Sequence, residues 1–355
     1  METMKTAAVI GGGPAGLMAA EVLAGSGARV HVYDAMPSVG RKFLLAGKGG
    51  LNLTHSEGAD AFAGRYGDRQ RQIQALLQGF GAAQLRAWVH GLGVQTFVGS
   101  SGRVFPKDMK AAPLLRAWLH RLRSQGVQFH MRHRWTGWDA KRSLHFESPQ
   151  GARMVHADAV VLALGGGSWP QLGSDGAWVP LLQQRGVAVA ALQASNCGFD
   201  VGTPQRKGWS EVFASRFAGQ PFKSVAIDCS NALGESFSRR GEFVATRTGV
   251  EGSLVYAASS LLRDEIARSG SASLRLDLMP DWSIERVQAE VSHARGSRSL
   301  SSHLKSRLGL DGIKASVLYE VLSKETMHDP VALSTAIKSL PIRLLSARPI
   351  EEAIS

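Results

Sequence analysis

Thr6-Ala7-Ala8-Val9-Ile10, running directly into Gly11-Gly12-Gly13-Pro14-Ala15-Gly16, is the stretch that decides the fold of this 355-residue chain. The apolar run reads as a short buried strand. A helix-patterned segment, Leu17 to Ala24, follows at once, Gly25 to Gly27 turns the chain, and a second strand, Arg29 to Tyr33, ends on Asp34. Strand, glycine turn, helix, strand and terminal acid together make a βαβ dinucleotide fingerprint. In it Gly11 allows the tight turn, Gly13 lets the backbone approach a pyrophosphate, and Gly16 lets the helix sit close on the strand. The helix amino end, with Pro14 and Ala15 in its first turn, directs N–H groups and a positive dipole at the diphosphate. Asp34 lies eighteen residues beyond Gly16, where a carboxylate accepts hydrogen bonds from ribose hydroxyls. An acid at that place disfavours a 2′-phosphate, so the expected nucleotide is FAD or NAD rather than NADP.

Two further stretches favour FAD. After Asp34 the chain reads Ser38-Val39-Gly40-Arg41-Lys42 and then Gly47-Lys48-Gly49-Gly50-Leu51-Asn52-Leu53-Thr54, a polar, glycine-rich segment where a simple dehydrogenase would start another helix. Such a loop can lie along an extended cofactor, which makes Gly40, Arg41, Lys42, Lys48, Asn52 and Thr54 candidate contacts. Far downstream, Ala157 to Gly167 reads as a buried strand entering a glycine turn. Ala163, Gly165 and Gly166 are expected to return the backbone to the nucleotide.

The chain resembles the HI0933-like family of bacterial NAD(P)/FAD-dependent oxidoreductases, itself similar to fumarate reductases and aspartate oxidases. The resemblance rests on GGGPAGLMAA at 11 to 20, GRKFLLAGKGGLNLTHSE at 40 to 57, GRVFPKDMKA at 102 to 111, LALGGGSWPQLGSDG at 162 to 176 and GEFVATRTGVEGS at 241 to 253. Only the first is common to many folds. The resemblance implies a two-dinucleotide flavoprotein with a Rossmann-type FAD domain, and places the second motif along the cofactor. Where many relatives carry an Arg-Cys pair, this chain has Gly50-Leu51, so chemistry using that thiol is not expected. The family closes with a further carboxy-terminal segment that completes the FAD site, and this sequence stops at Ser355, before that segment; the expectation is a truncated chain.

Composition sets bounds. With 44% hydrophobic residues the chain can bury a large core spread over two or three domains. It has no apolar run of membrane-span length and no signal-peptide pattern ahead of the first strand, so a soluble cytoplasmic protein without membrane partners is expected. Cys197 and Cys229 form no CxxC and give no zinc spacing, and none of the eleven histidines falls in an HxxxH pattern, so no metal is expected. The net charge is +12. The basic residues are scattered, as at Arg65, Arg69 and Arg71, Arg116, Arg121 and Arg123, or Arg239 and Arg240, which speaks against direct nucleic-acid binding.

The expected architecture is α/β, with an inserted β-barrel-like domain and a small helical subdomain. We expect an FAD domain over 1–194, a β-barrel-like substrate domain over 195–280, helices over 281–338, and a strand returning to the barrel within 339–355. Helices are expected over Arg69 to Gln78, Ala82 to Leu92 and Ala111 to Ser124, the last with Leu114, Leu115, Trp118, Leu119 and Leu122 at helical spacing. Alternation over Val127 to Met131 and Ser143 to Glu147 suggests a small antiparallel meander. Later strands are expected at Asn196 to Val201, Phe222 to Ser230, Glu242 to Thr246, Ser273 to Leu278 and Pro341 to Ser346. A single helix is expected over Ser253 to Ala267, an N-cap at Ser283, and a linker over Gly296 to Ser302.

Candidate catalytic groups are polar side chains on loops able to face a flavin. Asn52 belongs to the glycine-rich loop. Arg103 can bind a substrate carboxylate or offset charge on reduced flavin. Arg247 and Glu251 flank a turn read as leading into a helix amino end, with Arg247 for an anionic substrate and Glu251 as acid or base, or as a first-turn dipole partner. The expected function is FAD-dependent hydride transfer to a small molecule, possible donors being NADH or NADPH. A flavoprotein acting on tRNA and a non-catalytic remnant are the rivals.

Overall fold

The structure, a computed structural model, describes residues 4–46, 49–203 and 206–354, and the chain forms two compact units, Met1–Ala190 and Ala191–Ser355. The first unit is built on β1 (Thr6–Ile10), α1 (Pro14–Gly25) and β2 (Arg29–Asp34). Four successive residues of β1, Ala7 to Ile10, are buried, as befits a strand covered on both faces. It pairs in parallel with β2 on one side and with Ala159–Leu162 on the other, and β2 pairs in parallel with Gln128–Met131. The helix Ala111–Ser124 has the expected bounds, and its Leu115, Trp118 and Leu122 pack with Val9, Leu17, Val30 and Val32 on one face of the sheet.

The segment Gln128–Met131 corrects the sequence expectation of an antiparallel meander beginning there. Period-two alternation marks a strand but not its direction, and the helix Ala111–Ser124 supplies the crossover that a parallel partner needs. The antiparallel meander consists instead of Arg134–Trp138, Leu144–Ser148 and Gly151–Val155. It covers the opposite face, where Trp135, Leu144 and Phe146 pack with Ala8, Ile10 and Tyr33. The strand Ala159–Leu162 ends the sheet. Among the described residues nothing pairs with its outer side, and Val160 and Leu162 are 41% and 40% exposed.

A smaller sheet holds the second and third sequence motifs together. Thr54–His55 pairs antiparallel with Arg103–Pro106, which pairs with Thr96–Val98.

The second unit contains a closed barrel. Its antiparallel strands run, in spatial order, Phe199–Thr203, Gly249–Glu251, Ser236–Ala245, Pro221–Ser230, Ala272–Asp277 and Leu340–Ala347, the last pairing again with the first. Phe199, Phe222, Phe243, Ile227, Leu274 and Leu276 are essentially fully buried. Helices Ile284–Val291, Leu300–Leu308, Gly312–Val321 and Pro330–Lys338 join the same hydrophobic cluster through Val287, Leu304, Val317 and Ile337. Ser283 caps the first of these by accepting the Arg286 N–H.

Two expectations fail here for local reasons. The single helix over Ser253 to Ala267 is two, Ser253–Ala257 and Ser259–Ser269. They are parted at Ala258, next to buried Ser259, whose hydroxyl donates to the Tyr256 carbonyl and accepts the Asn196 N–H. The supposed linker ends early, because Ser299 accepts the Ser302 N–H and starts the helix Leu300–Leu308.

Candidate dinucleotide site

Four glycines meet at the end of β1, and they do different things. Gly11 has φ +106°, and a Cβ there would lie 2.2 Å from the Ala163 carbonyl oxygen. At Gly16 a Cβ would lie 1.8 Å from the Gly11 carbonyl oxygen. The end of β1, the start of α1 and the turn after Ala159–Leu162 are therefore in backbone contact, as the fingerprint requires. Gly12, to which the sequence reading gave no role, is equally constrained: its Cβ would meet Val39 Cγ1 at 2.3 Å and Asp34 Oδ2 at 2.8 Å. Gly13 alone faces open space, with no atom within 4 Å of a Cβ.

Gly13 is also the N-cap of α1, Pro14 occupies the first turn, and that turn carries neither a capping side chain nor an acid. The N–H groups of Ala15 and Gly16 fall in the turn that an α-helix leaves without internal acceptors, so a positive pole faces the open side of Gly13.

Asp34 is held in place by the loop it serves. Its Oδ2 accepts the Gly12 N–H and its Oδ1 the Met36 N–H, each at 2.7 Å. Burial pushes its carboxyl above the ordinary range, against the pull of those N–H groups and of the Arg41 charge. Arg41 opens α2 (Arg41–Ala46), and its Nε is buried without a hydrogen-bond partner among the described residues. Lys42 Nζ donates to Ser168 Oγ at 2.5 Å, and burial lowers its pKa. Gly40 ties the two loops, its N–H donating to the Gly12 carbonyl at 2.9 Å, and at φ +69° it leaves room for Leu115.

Beside Asp34 and Gly11 a narrow cleft opens at the carboxyl ends of the strands, lined by Tyr33, His133, Trp135, Gly173 and Trp178 among others. Four buried polar atoms in and near it have no hydrogen-bond partner among the described residues: His133 Nε2, Trp135 Nε1, Trp178 Nε1 and Ser174 Oγ. Ser174 lies against Gly165, 3.4 Å from where its Cβ would be, and the Gly166 carbonyl accepts the Gly176 N–H. Sequence reasoning missed all four side chains. The tryptophans carry no spacing signal, and only the position of His133 just after the strand beside β2 hinted at its place.

The remaining candidates divide between the units. In the first, the Leu51, Leu53 and Ser56 N–H groups donate to the Met109, Val104 and Gly102 carbonyls, which binds the second motif to the third. Thr54 is buried, whereas Asn52 and Arg103 are exposed. Lys48 lies outside the described residues. Leu51 is buried with Leu114 and Val89, and Gly50 has φ +107° with Met109 packed where a side chain would go, so both positions are committed to packing. In the second unit Arg247 forms an exposed ion pair with Glu211, with 3.2 Å between Nη2 and Oε1. Glu251 corrects the expectation of a first-turn helix residue: it ends the strand Gly249–Glu251, and Gly252 separates it from a helix of only five residues.

The family model described as HI0933-like protein Rossmann domain matches residues 5–329. The chain belongs to this family. HI0933-like proteins are FAD-dependent oxidoreductases. A comparison with curated proteins finds no match. Among solved structures this HI0933-like chain is similar to the 3-ketosteroid-Δ4-(5α)-dehydrogenase of Rhodococcus jostii RHA1, at 15% identity over 98% of this chain and 84% of that one, with TM-score 0.48. It is likewise similar to the 3-ketosteroid Δ1-dehydrogenase of Sterolibacterium denitrificans, at 12% identity over 99% and 88%, with TM-score 0.49. A flavocytochrome c3 fumarate reductase matches at 16% identity over 77% and 53%, with TM-score 0.46.

FAD fits the residues that this HI0933-like chain presents. The open face at Gly13 leaves room for a diphosphate, the unpartnered Arg41 Nε offers a charged donor, and the orphaned groups of the cleft call for a polar ligand. Gly11, Gly13, Pro14, Ala15, Gly16, Asp34, Gly40, Arg41, Lys42, Ala163, Gly165 and Gly166 all lie within the first unit, around the ends of β1 and β2. Among the described residues, no three His, Cys, Asp or Glu side chains converge as metal ligands, and no helix is long and apolar enough to cross a membrane.

Proposed function

We propose that this chain binds FAD with its diphosphate at the α1 amino end and uses it for hydride transfer to a small organic acceptor. The acceptor class is an activated C=C or C=O bond, with NADH or NADPH as electron donor. The observation that carries the reading is the contrast among the glycines: Gly11, Gly12 and Gly16 are closed by the protein's own atoms, whereas Gly13 opens onto free space at a helix pole whose first turn carries no acid.

When bound, FAD supplies the two-electron chemistry. The chain's own residues do the rest. Arg41 and Lys42 offset diphosphate charge, and Asp34, whose oxygens keep lone pairs beyond the two N–H bonds, accepts the ribose hydroxyls. Asn52 is the exposed polar side chain of the loop assigned to the flavin side, with Thr54 buried two residues on. Arg103 is the first unit's candidate for an anionic substrate; in the second unit the candidates are Arg247 for an anionic group and Glu251 for proton donation.

The test is direct. The 355-residue protein, incubated with FAD and freed of excess, should show flavin absorbance and oxidise NADH or NADPH when given unsaturated acids or ketones. A protein that takes up no FAD overturns the reading, and one that binds FAD but turns over no such acceptor overturns its finer part. Where an anionic acceptor is turned over, Arg247→Ala should raise its apparent KM and leave flavin content unchanged.

A further inference from the structure

The cleft beside Asp34 holds polar groups that no intramolecular bond explains, and their chemistry is specific. His133 is 8% exposed and its Nδ1 lies 2.9 Å from the Met131 carbonyl. A carbonyl only accepts, so Nδ1 carries the proton and Nε2, in the neutral ring, presents a bare lone pair. That nitrogen is buried and has no partner among the described residues. Trp135 is 7% exposed; its indole nitrogen and that of Trp178 are buried, are likewise without partners among the described residues, and can only donate. The three side chains line one cleft, at whose rim Arg134 pairs with Asp175 at 3.0 Å. One acceptor and two donors left unpaired in a buried cleft are costly unless a ligand completes them.

Resting on the FAD reading, we propose that His133, with the Trp135 and Trp178 indoles, selects the adenine ring of the dinucleotide over other purines. Adenine presents an amino group, a donor, beside ring nitrogens that accept, on one planar edge. The amino group donates to His133 Nε2, and an indole N–H donates to a ring nitrogen. Guanine and hypoxanthine place a carbonyl oxygen where adenine has the amino group. That oxygen has no proton to donate, so it sets lone pair against lone pair at His133 Nε2 and removes the pairing that the adenine amino group provides. A site built to pair a polar group discriminates strongly against a ligand lacking it.

The experiment follows FAD binding to the full chain by flavin fluorescence and displaces FAD with ADP or with inosine diphosphate, which differs at the base edge. ADP should compete at least about tenfold better, the scale of one buried hydrogen bond. His133→Phe keeps a ring of similar size and should bring the two competitors to within about twofold of each other, on the same scale. Trp178→Phe should weaken ADP. Equal competition by the two diphosphates in the unmodified chain, with FAD still bound, overturns the base selection and leaves the FAD reading standing. Absence of FAD binding overturns both. The comparison on the unmodified protein decides the matter even where a variant fails to fold.

Discussion

At the scale of single residues, the four glycines separate folding from binding. Gly13→Val adds a side chain where nothing stands within 4 Å, so the variant should fold with an unchanged melting temperature and fail to take up FAD. Gly16→Val drives a Cβ to within 1.8 Å of the Gly11 carbonyl and should lose the fold with the cofactor, which circular dichroism would report. A Gly13→Val protein with full flavin absorbance would mean that the diphosphate lies elsewhere. Asp34→Ala should weaken FAD by about 1 to 3 kcal/mol, the cost of losing charge-assisted hydrogen bonds. It also strips the Gly12 and Met36 N–H groups of their acceptor, so Asp34→Asn, which keeps an oxygen, should lie between the two in a flavin titration. The fingerprint was legible because glycine, proline and acid act there through backbone geometry. Gly12 and the unpartnered groups at His133, Trp135, Ser174 and Trp178 were not, because their roles depend on neighbours far away in the chain, such as Val39 against Gly12.

Among the elements, β2 and Gln128–Met131 bring a row of histidines together. His31 Nδ1 and His130 Nε2 are 3.0 Å apart, and Tyr33 stacks on His130 and on Phe146. Burial, then the neighbouring His31, His133 and Arg153, lowers the His130 pKa from 6.5 to about 4, and burial also lowers that of His31. The unfolded chain therefore binds more protons than the folded one between those values. The stability that this contributes is whole above pH 6.5 and is lost as the pH falls from 6.5 toward 4. Urea midpoints should decline across that window, and His130→Phe should flatten the decline; an unchanged slope would assign the acid sensitivity to other groups. The pairing that creates this row was hidden in the sequence, since alternation over 128–131 fits either direction of pairing. Hydrophobic periodicity did give Ala111–Ser124 to the residue, because five apolar residues share one helix face. It overran the helix break at Ala258, which a side-chain hydroxyl makes rather than a proline or glycine.

On the scale of the whole molecule, each unit has its own hydrophobic core, the first around Val9 and Val32, the second inside and beside the closed barrel. FAD bound at the site proposed in the first unit should stabilise that core by mass action, about 2.7 kcal/mol at a hundredfold excess over Kd. Denaturant unfolding should show two transitions, with FAD moving one of them. A single transition that moves as a whole would show the two cores to be thermodynamically one. The α/β character and the barrel were both legible, the first from β1 and its glycines, the second from the strand-rich texture after residue 195. The return strand was legible as well, at Pro341 to Ser346, but its pairing with Phe199–Thr203 was not, because it joins segments well over a hundred residues apart.

The barrel has closed on itself, but the parallel sheet has not. Its last strand, Ala159–Leu162, shows Val160 and Leu162 to solvent and carries no lysine, proline or bulge to discourage a stray chain from pairing with it. In a crowded, newly synthesised or concentrated preparation this is the place where one molecule would stick to the next. Colloidal behaviour would then be governed by four residues at the end of a sheet, independently of how well the nucleotide binds, and a lysine at position 160 should keep the protein in solution at concentrations where the unaltered chain clouds.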